Sequence, residues 1–351
     1  MHSIIRKGLI KLGKIQMNSN DLNEIQSSSQ GPISLNHKRK LILTKENLKE
    51  EFKKRYKALL GLDYDKFIDC LFSKPPTFIR INPMKAPVKW LRQKNWEVER
   101  VAWYKYGYKV IKGPENIGNT VEHRLGLFYV QDAASMVPPV ALDPRPGERV
   151  LDLTAAPGSK TTQMAEMMRW KGVIVANDIS MARINVLSSN VQRMGSINVT
   201  ITQLDGRFIH KIFGKDRFDK VLLDAPCSSV GEVRRNWSPL IRWSLRLVLR
   251  LSKLQKELAT AAFIALKPGG KMVYSTCTFD PEENEEVVQH LIELGAEVLE
   301  MKIPGLNARS GLIEWNGKKF DPSISKCLRI YPHCNDTLGF FVCLLEKPER
   351  L

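Results

Sequence analysis

The chain has 351 residues, 43% of them hydrophobic, which is enough for one large domain or for two. Its 54 basic and 37 acidic residues give a net charge of +17. This balance favours nucleic acid as a partner, although a basic surface that serves only solubility is the alternative. No apolar run approaches the roughly 18 residues of a membrane span, so no membrane partner is predicted. The six cysteines form no C-x-x-C pair, so neither a metal site nor a disulfide framework is expected.

Residues 1–37 differ in composition from the rest of the chain. The first 17 residues carry four basic side chains and no acid, and residues 18–36 are rich in Ser, Asn and Gln. Three interpretations remain open: an organellar targeting segment, a disordered basic arm, or an upstream start before Met17. We predict a cytoplasmic protein, with an organelle as the alternative if the segment is a targeting signal.

Residues 38–115 are predicted to form a small α/β module. A lysine-rich helical pattern leads from Leu41 to Leu71, and residues 77–82 alternate like a strand. Residues 103–109 interleave aromatic side chains with lysines, which suits base stacking combined with phosphate contact. A half-buried strand with a lysine face explains the same pattern equally well. The module is therefore predicted to present RNA or DNA to the residues that follow.

Residues 116–351 alternate between strand and helix patterns. An amphipathic helix is predicted at 247–266, and another is predicted to begin at Asp280 with a proline in first position. Residues 340–343 are predicted to lie in a last, edge strand. Such alternation is typical of a doubly wound, mostly parallel α/β sheet covered by helices on both faces. The predicted strands are 149–153, 173–177, 198–203, 219–224, 271–276, 296–301 and 339–346.

A turn of small residues, 154–160, follows the first of these strands and opens a helix. Small residues let a ligand approach the backbone, and the free N–H groups of the helix start point toward it. Asp178 ends the next strand, 20 residues after Gly158, which is the spacing of an acid that binds the ribose of an adenosine cofactor. The Gly-x-Gly-x-x-Gly pattern of NAD enzymes is absent, so another adenosine cofactor is favoured.

Two further motifs end predicted strands at the edge of the sheet where such folds bind ligands. They are Asp-Ala-Pro-Cys at 224–227 and Ser-Thr-Cys at 275–277. A single cysteine in this position is more often inert packing than a reactive group. Two cysteines at the same edge are candidates for covalent catalysis.

Six motifs together resemble, in their order, the Nop/Sun-domain (RsmB-type) RNA cytosine-5 methyltransferases, which use S-adenosylmethionine. The resemblance covers roughly residues 75–347 and implies a class I, Rossmann-like methyltransferase fold with a seven-stranded sheet. Thr154 stands where the family usually has cysteine, and Ser159 where it usually has glycine. The motifs are residues 78–82, 129–135, 152–160, 205–207, 224–227 and 275–277.

The resemblance implies a binding site for S-adenosylmethionine. Residues 154–160 would hold the methionine end of the cofactor, Asp178 its ribose and Asp205 the adenine amino group. A simple turn carboxylate is the alternative for Asp205. The predicted cofactor contacts are Thr154, Ala155, Ala156, Pro157, Gly158, Ser159, Lys160, Asp178, Asp205 and Asp224.

The resemblance also implies the catalytic roles. Cys277 would attack cytosine C6, which makes C5 enamine-like and able to accept a methyl group. Asp224 would bind the N3 and N4 edge of the base, and Cys227 would release the methylated product. The 50 positions between the two cysteines do not themselves assign these roles, so a swap remains open.

RNA is the expected substrate, with tRNA first and ribosomal RNA second, and we expect a monomer. The target base must leave its stack, which favours single-stranded or loop RNA. Lys160, Arg234, Arg235 and Trp237 are the predicted substrate contacts, although a surface helix start with buried tryptophans is the alternative. Two other hypotheses are an RNA scaffold that only binds and an enzyme that acts on DNA.

Overall fold

The structure is a computed structural model that describes residues 43–349, except residues 88 and 94. The predictions for residues 1–37 lie outside the described residues. Within the described ranges, no helix combines the length and the apolar character that crossing a membrane requires. The same ranges contain no group of three or more His, Cys, Asp or Glu side chains placed to hold a metal ion.

The small module contains helices and a four-stranded antiparallel sheet, in the order β2-β3-β1-β4. The β4 strand completes this sheet, although the predicted boundary at residue 115 assigned it to residues 116–351, which are called the catalytic domain below. The aromatic–lysine segment at 103–109 is a strand only from Gly107 onward. The elements are α1 Glu50–Leu60, α2 Tyr64–Leu71, β1 Thr77–Ile81, α3 Trp90–Gln93, β2 Glu97–Arg100, β3 Gly107–Lys112, α4 Val121–Arg124 and β4 Phe128–Val130.

The single helical pattern predicted up to Leu71 forms two helices, α1 and α2. Gly61 follows α1 with a φ of +56°, a conformation that favours glycine and ends the helix. A 3-10 turn at Gly61–Asp63 then redirects the chain into α2. Phe52 and Tyr56 of α1 are buried against Trp243, so α1 packs on the catalytic domain.

The catalytic domain alternates strands and helices as the sequence predicts. Its first elements are α5 Val137–Leu142, β5 Arg149–Asp152, α6 Ser159–Met167, β6 Val173–Asp178, α7 Met181–Met194, β7 Val199–Gln203, α8 Ile209–Phe213, β8 Phe218–Asp224, α9 Ser238–Arg242, α10 Leu245–Ala265 and β9 Leu266–Thr276. The remaining elements are α11 Glu285–Glu293, β10 Glu297–Leu299, β11 Arg309–Ser310, β12 Glu314–Trp315, β13 Lys318–Lys319, β14 Leu328–Ile330, α12 Pro332–Asn335 and β15 Phe340–Glu346.

The main sheet runs in the order β11-β14-β15-β9-β8-β5-β6-β7, with β10 also beside β15. The five strands β5 to β9 are parallel, and β15 is antiparallel to β9. Leu222 packs with helices on one face of the sheet, and Val221 and Leu223 pack with helices on the other. The predicted doubly wound sheet is therefore confirmed, and two short strands, β11 and β14, widen it to nine.

The predicted edge position of residues 340–343 is wrong. The β15 strand lies inside the sheet, with β9 on one side and both β10 and β14 on the other. Phe341, Val342 and Cys343 are fully buried. A continuous apolar run indicates a strand covered on both faces, but it does not tell which strands lie beside it.

The predicted helix start at Asp280 is also wrong, because residues 281–284 form turns and α11 begins at Glu285. The Asp280 carboxylate is not free to cap a helix. It accepts hydrogen bonds from Arg55 Nε at 2.7 Å, Tyr56 Oη at 3.0 Å and Trp243 Nε1 at 3.1 Å. These tertiary contacts replace the capping interaction that the local sequence suggests.

Candidate active site

Three loops that leave the carboxyl ends of β5, β8 and β9 form the candidate site. Adjacent parallel strands end at one edge of the sheet, and this edge is where open α/β sheets bind ligands. The motifs 152–160, 224–227 and 275–277 therefore meet, as the sequence predicts. Backbone hydrogen bonds join the loops, for example from Ala225 N to Ser275 O at 2.8 Å and from Gly231 N to Cys277 O at 2.9 Å.

The loop at residues 154–160 is held in one conformation by α7. Arg183 Nη2 donates to Ala156 O at 2.6 Å, and Asn190 Nδ2 donates to Pro157 O at 2.9 Å. Gly158 has a φ of +102°, and a Cβ there would lie 2.9 Å from a Leu187 methyl carbon, so a larger residue would be strained. The loop is thus shaped before any ligand binds.

Ser159 is the first residue of α6 and has an ordinary place in the helix. Its carbonyl accepts a hydrogen bond from Arg80 Nη1 of β1 at 2.5 Å. Thr154, the other departure from the family pattern, donates through Oγ1 to the Asp224 carbonyl at 2.8 Å. Both substitutions are therefore accommodated without disturbing the loop.

Asp178 lies at the end of β6, 2% exposed, beside this loop. Its Oδ2 accepts from Ala156 N at 3.3 Å and its Oδ1 from Ser180 N at 3.1 Å. The apolar side chains of Ile179 and Met181, directly after it, are 45% and 56% exposed. A buried acid next to open apolar surface fits the ribose and purine of an adenosine cofactor.

Asp205 follows β7 and is tightly paired with Arg207. It accepts from Arg207 Nη2 at 2.7 Å and from Arg207 N at 3.0 Å, which caps a 3-10 turn at Gly206–Phe208. Burial opposes ionisation of Asp205, but the hydrogen bonds from Arg207 outweigh it and lower its pKa. The Asp205 carboxylate therefore stabilises a turn, as the alternative for this residue predicts. An adenine amino group would have to share the carboxylate with Arg207.

Lys160 and Asp224 form an ion pair at the centre of the site. Lys160 Nζ donates to Asp224 Oδ2 at 2.6 Å, and Ser275 Oγ donates to Oδ1 at 2.8 Å. Lys160 also lies 4.8 Å from the centre of the Phe340 ring. Burial alone would lower the pKa of Lys160, but the Asp224 charge reverses this and raises it. Lys160 is thus a buried, charged residue of the site and not a solvated side chain of the first helical turn.

The two cysteines of the motifs meet, with Cys227 Sγ 3.1 Å from Cys277 Sγ. The hydrogen bond from Cys277 lowers the pKa of Cys227. The same interaction, together with burial, raises the pKa of Cys277 well above its usual range. The two shifts have opposite directions, so loss of the first proton from the pair is favoured at Cys227 and loss of the second is opposed. Such a pair can supply a nucleophile and a proton acceptor at one place.

A second set of side chains, which the sequence did not reveal, fixes the cysteine loops. Glu283 Oε2 accepts from Ser228 N at 2.9 Å and from Gln255 Nε2 at 2.8 Å. The hydroxyls of Ser228 and Thr278 are 2.6 Å apart and join the two loops directly. Gln255 lies at an interior position of an apolar helix face, which is the one sequence signal that could have identified it.

The predicted RNA contact of Arg234 is corrected to a structural role. Its side chain is 2% exposed, and its guanidinium donates to Thr337 O and Asp336 Oδ1, each at 2.9 Å, and to Ser73 Oγ at 3.0 Å. A group that is buried and fully bonded cannot reach a phosphate. Arg234 instead fastens the segment after α2 to the segment before β15.

Arg235 and Trp237 are placed differently from Arg234. The Arg235 side chain is 42% exposed, and Trp237 is 41% exposed with its ring 5.7 Å from that of Phe72. Trp243, in contrast, is fully buried in the core, as the alternative reading of this segment anticipates. The exposed pair lies on the connection that leaves the Cys227 loop, where a nucleic acid could contact it.

Comparisons with known proteins agree with this geometry. Residues 139–346 match the family described as 16S rRNA methyltransferase RsmB/F, and residues 48–133 match the N-terminal domain of 16S rRNA methyltransferase RsmF. The chain is similar to a methyltransferase homolog protein from Pyrococcus horikoshii of known crystal structure, with 35% identity and a TM-score of 0.76. The match covers 86% of this chain and 96% of that one.

Two relatives are named for different RNA substrates. The tRNA (cytosine(49)-C(5))-methyltransferase of Pyrococcus abyssi is 43% identical, over 86% of this chain and 99% of the relative. The ribosomal RNA small subunit methyltransferase F of Aliivibrio fischeri is 40% identical, over 82% of this chain and 61% of the relative. The chain therefore spans about three fifths of the latter protein. It belongs to the RsmB/F family of S-adenosylmethionine-dependent RNA cytosine-5 methyltransferases, which confirms both the predicted Nop/Sun-domain resemblance and the predicted cofactor.

Proposed function

We propose that this protein methylates cytosine C5 in tRNA, with ribosomal RNA as the second candidate. The observation that carries the choice of tRNA is the degree of similarity to the two relatives. The chain is 43% identical to the relative named for tRNA and 40% identical to the relative named for ribosomal RNA. The chemistry itself is supported by two cysteine sulfurs 3.1 Å apart beside the Lys160–Asp224 ion pair.

The cysteine pair and the ion pair divide the work of the reaction. Residues 154–160, with Asp178 and Asp205, would hold S-adenosylmethionine, which would supply the methyl group as an electrophile. Cys277 passes its proton to Cys227, 3.1 Å away, and its thiolate adds to cytosine C6. Lys160 would donate to the N3 edge, where negative charge develops in the ring, and the Asp224 carboxylate would accept from the N4 amino group. The electron density at C5 then takes the methyl group.

Release of the product reverses the first bond. Once Cys277 is bonded to carbon, it no longer shares a proton with Cys227. The Cys227 thiol then gives its proton to solvent and accepts the C5 proton from the base. The electron pair of the Cys277–C6 bond returns to sulfur as the double bond re-forms. Cys227 Sγ lies 3.1 Å from Cys277 Sγ, which places it close to the base that Cys277 holds.

RNA is proposed to enter over the connection that follows the Cys227 loop. Trp237 offers an exposed ring on which a neighbouring base could stack, and Arg235 offers a charge for a phosphate. The six free cysteines among the described residues are consistent with a reducing compartment, and we infer a cytoplasmic location.

The test uses purified protein, labelled S-adenosylmethionine, and tRNA and ribosomal RNA that lack prior 5-methylcytosine. Digested nucleosides are separated and identified by mass. We expect label in 5-methylcytosine from tRNA, its loss with Cys277→Ala, and a stable protein–RNA adduct with Cys227→Ala. Label in ribosomal RNA alone would transfer the proposal to the second substrate. An adduct with Cys277→Ala and no methylation by Cys227→Ala would reverse the cysteine roles. Binding of cofactor and RNA without methyl transfer would favour the scaffold hypothesis.

A further inference from the structure

Ser229, two residues after Cys227, has a backbone conformation that serine rarely adopts. Its φ is +61° and its ψ is +27°, in the left-handed region. Such strain persists only where the surrounding structure imposes it, and it is concentrated at functional sites. A glycine would take the same conformation without strain, so the serine side chain is retained against a local cost.

The surrounding backbone imposes the conformation through a chain of hydrogen bonds. Glu232 N donates to Ser229 O at 3.0 Å, and Gly231 N donates to Cys277 O at 2.9 Å. Gly339 N, just before β15, donates to Gly231 O at 3.0 Å. The turn that carries Ser229 is therefore bound directly to the backbone of the second cysteine.

This conformation brings the Ser229 hydroxyl to both sulfurs. The Cys277 thiol donates to Ser229 Oγ at 3.5 Å, and Cys227 Sγ lies 3.8 Å from the same oxygen. The hydroxyl itself donates to the Cys227 carbonyl at 3.1 Å. A serine hydroxyl rotates freely about its C–O bond, so it can accept from a thiol in one state and donate to a thiolate in the next.

We propose that Ser229 is a further catalytic residue, whose hydroxyl donates a hydrogen bond to the thiolate of the Cys227–Cys277 pair. At rest the Cys277 thiol shares its one proton between Cys227 Sγ and Ser229 Oγ, and the hydroxyl donates to the Cys227 carbonyl. When Cys277 loses its proton to Cys227, the hydroxyl turns and stabilises the anion that attacks C6. It does so again when the Cys277–C6 bond breaks and the electron pair returns to sulfur. No bond to Ser229 forms or breaks. The role of Ser229 in methyl transfer rests on the proposed function, whereas its hydrogen bond to a thiolate does not depend on that function.

The test therefore measures thiolate formation without RNA. The rates at which iodoacetamide alkylates Cys227 and Cys277 are followed by peptide mass spectrometry across a range of pH. In Ser229→Ala and Ser229→Gly, we expect the profile to move up by about one pH unit, the order expected for one lost hydrogen bond to an anion. At neutral pH the alkylation rate then falls about tenfold.

The Ser229→Gly variant separates the effect of the hydroxyl from the effect of the backbone, because glycine adopts the positive φ without strain and keeps the fold. The charged groups that face the sulfurs, Lys160, Asp224, Glu232 and Glu283, are unchanged in both variants. Ser238→Ala is the matched control, since its hydroxyl contacts Asn236 and neither sulfur, and its profile should match that of the unaltered protein.

Three outcomes decide the proposal. A shift in both Ser229 variants, with melting temperatures at or above that of the unaltered protein for Ser229→Gly, supports it. An unchanged profile in a well-folded Ser229→Gly overturns it, whether or not Ser229→Ala shifts, because the serine would then act through its backbone alone. If the profiles shift but no RNA accepts a methyl group, the proposed function fails and the thiolate role of Ser229 stands.

Discussion

Asp152, at the end of β5, is a buried carboxyl group that the reaction does not use. It is 1% exposed and accepts a hydrogen bond from Thr161 Oγ1 at 2.6 Å. Burial raises its pKa to about 7, the hydrogen bond from Thr161 opposes the shift, and the nearby Asp224 charge adds to it. The folded protein therefore holds a proton here that the unfolded chain releases at about pH 4.

Stability should consequently depend on the ionisation of Asp152. The stabilising proton is fully present below about pH 4 and is lost as the pH rises to about 7. Across this window we expect the free energy of unfolding to fall, relative to Asp152→Asn, by up to about 1.4 kcal/mol per pH unit. Urea unfolding at about pH 5 and about pH 8 measures the difference. Parallel pH profiles for the two proteins would contradict the prediction.

Neighbouring arginines 234 and 235 should respond to substitution in opposite ways. Arg234→Ala leaves buried acceptors such as Thr337 O without a partner and should lower the free energy of unfolding by about 2–4 kcal/mol. Arg235→Ala should leave stability nearly unchanged but reduce the salt dependence of RNA binding by about one phosphate contact. Denaturant unfolding and RNA binding at several salt concentrations test the pair, each variant serving as the control for the other.

At the level of single residues, the sequence predicts the reactive side chains better than the side chains that hold them in position. Cys227, Cys277, Asp224 and Lys160 could be located because parallel strands end at one edge, so motifs far apart in sequence meet there. Glu283 could not, because its partners depend on how two loops pack. The RNA contact predicted for Arg234 is wrong for the same reason, because burial of an arginine depends on tertiary contacts that its local sequence does not show.

Among the elements, α10 carries basic side chains that extend away from the site. Arg246 and Lys253 are on its exposed side, and Arg242 ends the preceding α9. None of these three forms an ion pair with a residue that the structure describes. The helix begins at the catalytic edge and rises about 1.5 Å per residue, so the two α10 charges are about 10 Å apart along its axis. Phosphates that flank a bound cytosine are natural partners for such a row of charges.

Replacing Arg242, Arg246 and Lys253 together by Gln should weaken RNA binding and lower the magnitude of its salt slope by about 2–3. Cofactor affinity should not change. The matched control replaces three basic residues that precede β6 and β8, at the opposite edge of the sheet: Lys171, Lys215 and Arg217. Equal losses in the two triple variants would show that net charge, and not the position of α10, governs binding.

The positions of helices and strands could be predicted where the hydrophobic periodicity was strong. They could not be predicted where they depended on which strands pair with each other. Long strands such as β8 and the helix α10 lie within a few residues of their predicted bounds. The two-residue β11 carries too short a pattern to identify, and the interior place of β15 depends on partners elsewhere in the chain. The break at Gly61, where one predicted helix becomes two, could not be predicted because it depends on the backbone conformation of this glycine.

At the scale of the whole molecule, two arginines connect the small module to the catalytic domain. Arg55 of α1 pairs with Asp280 and Glu282, three and five residues after Cys277. Arg80 of β1 is fully buried and donates to Thr162 Oγ1 at 2.8 Å and Glu166 Oε1 at 3.0 Å. We propose that the module ends near residue 131, after β4, and that these contacts make it a fixed part of the enzyme.

Arg55→Ala should therefore destabilise the entire described chain and not α1 alone. Removing one partner leaves the fully buried Asp280 with an uncompensated charge, at a cost of about 3–5 kcal/mol. Unfolding followed by circular dichroism and by tryptophan fluorescence should still coincide in one transition. Lys54→Ala, an exposed position on the same helix, should change stability by no more than about 0.5 kcal/mol. Two separate transitions would mean that the module unfolds independently.

The interior position of β15 has a consequence for how the protein is made. Thr276 at the end of β9 and Phe341 near the start of β15 are 65 positions apart, 341 − 276, yet they pair in the finished sheet. A ribosome adds about 5–20 residues per second, so about 3–13 s separate the synthesis of the two strands. During that interval the strand that leads to Cys277 has an unpaired edge, the kind of surface on which nascent chains aggregate. This strand is therefore one place where a growing chain is open to aggregation before its synthesis is complete.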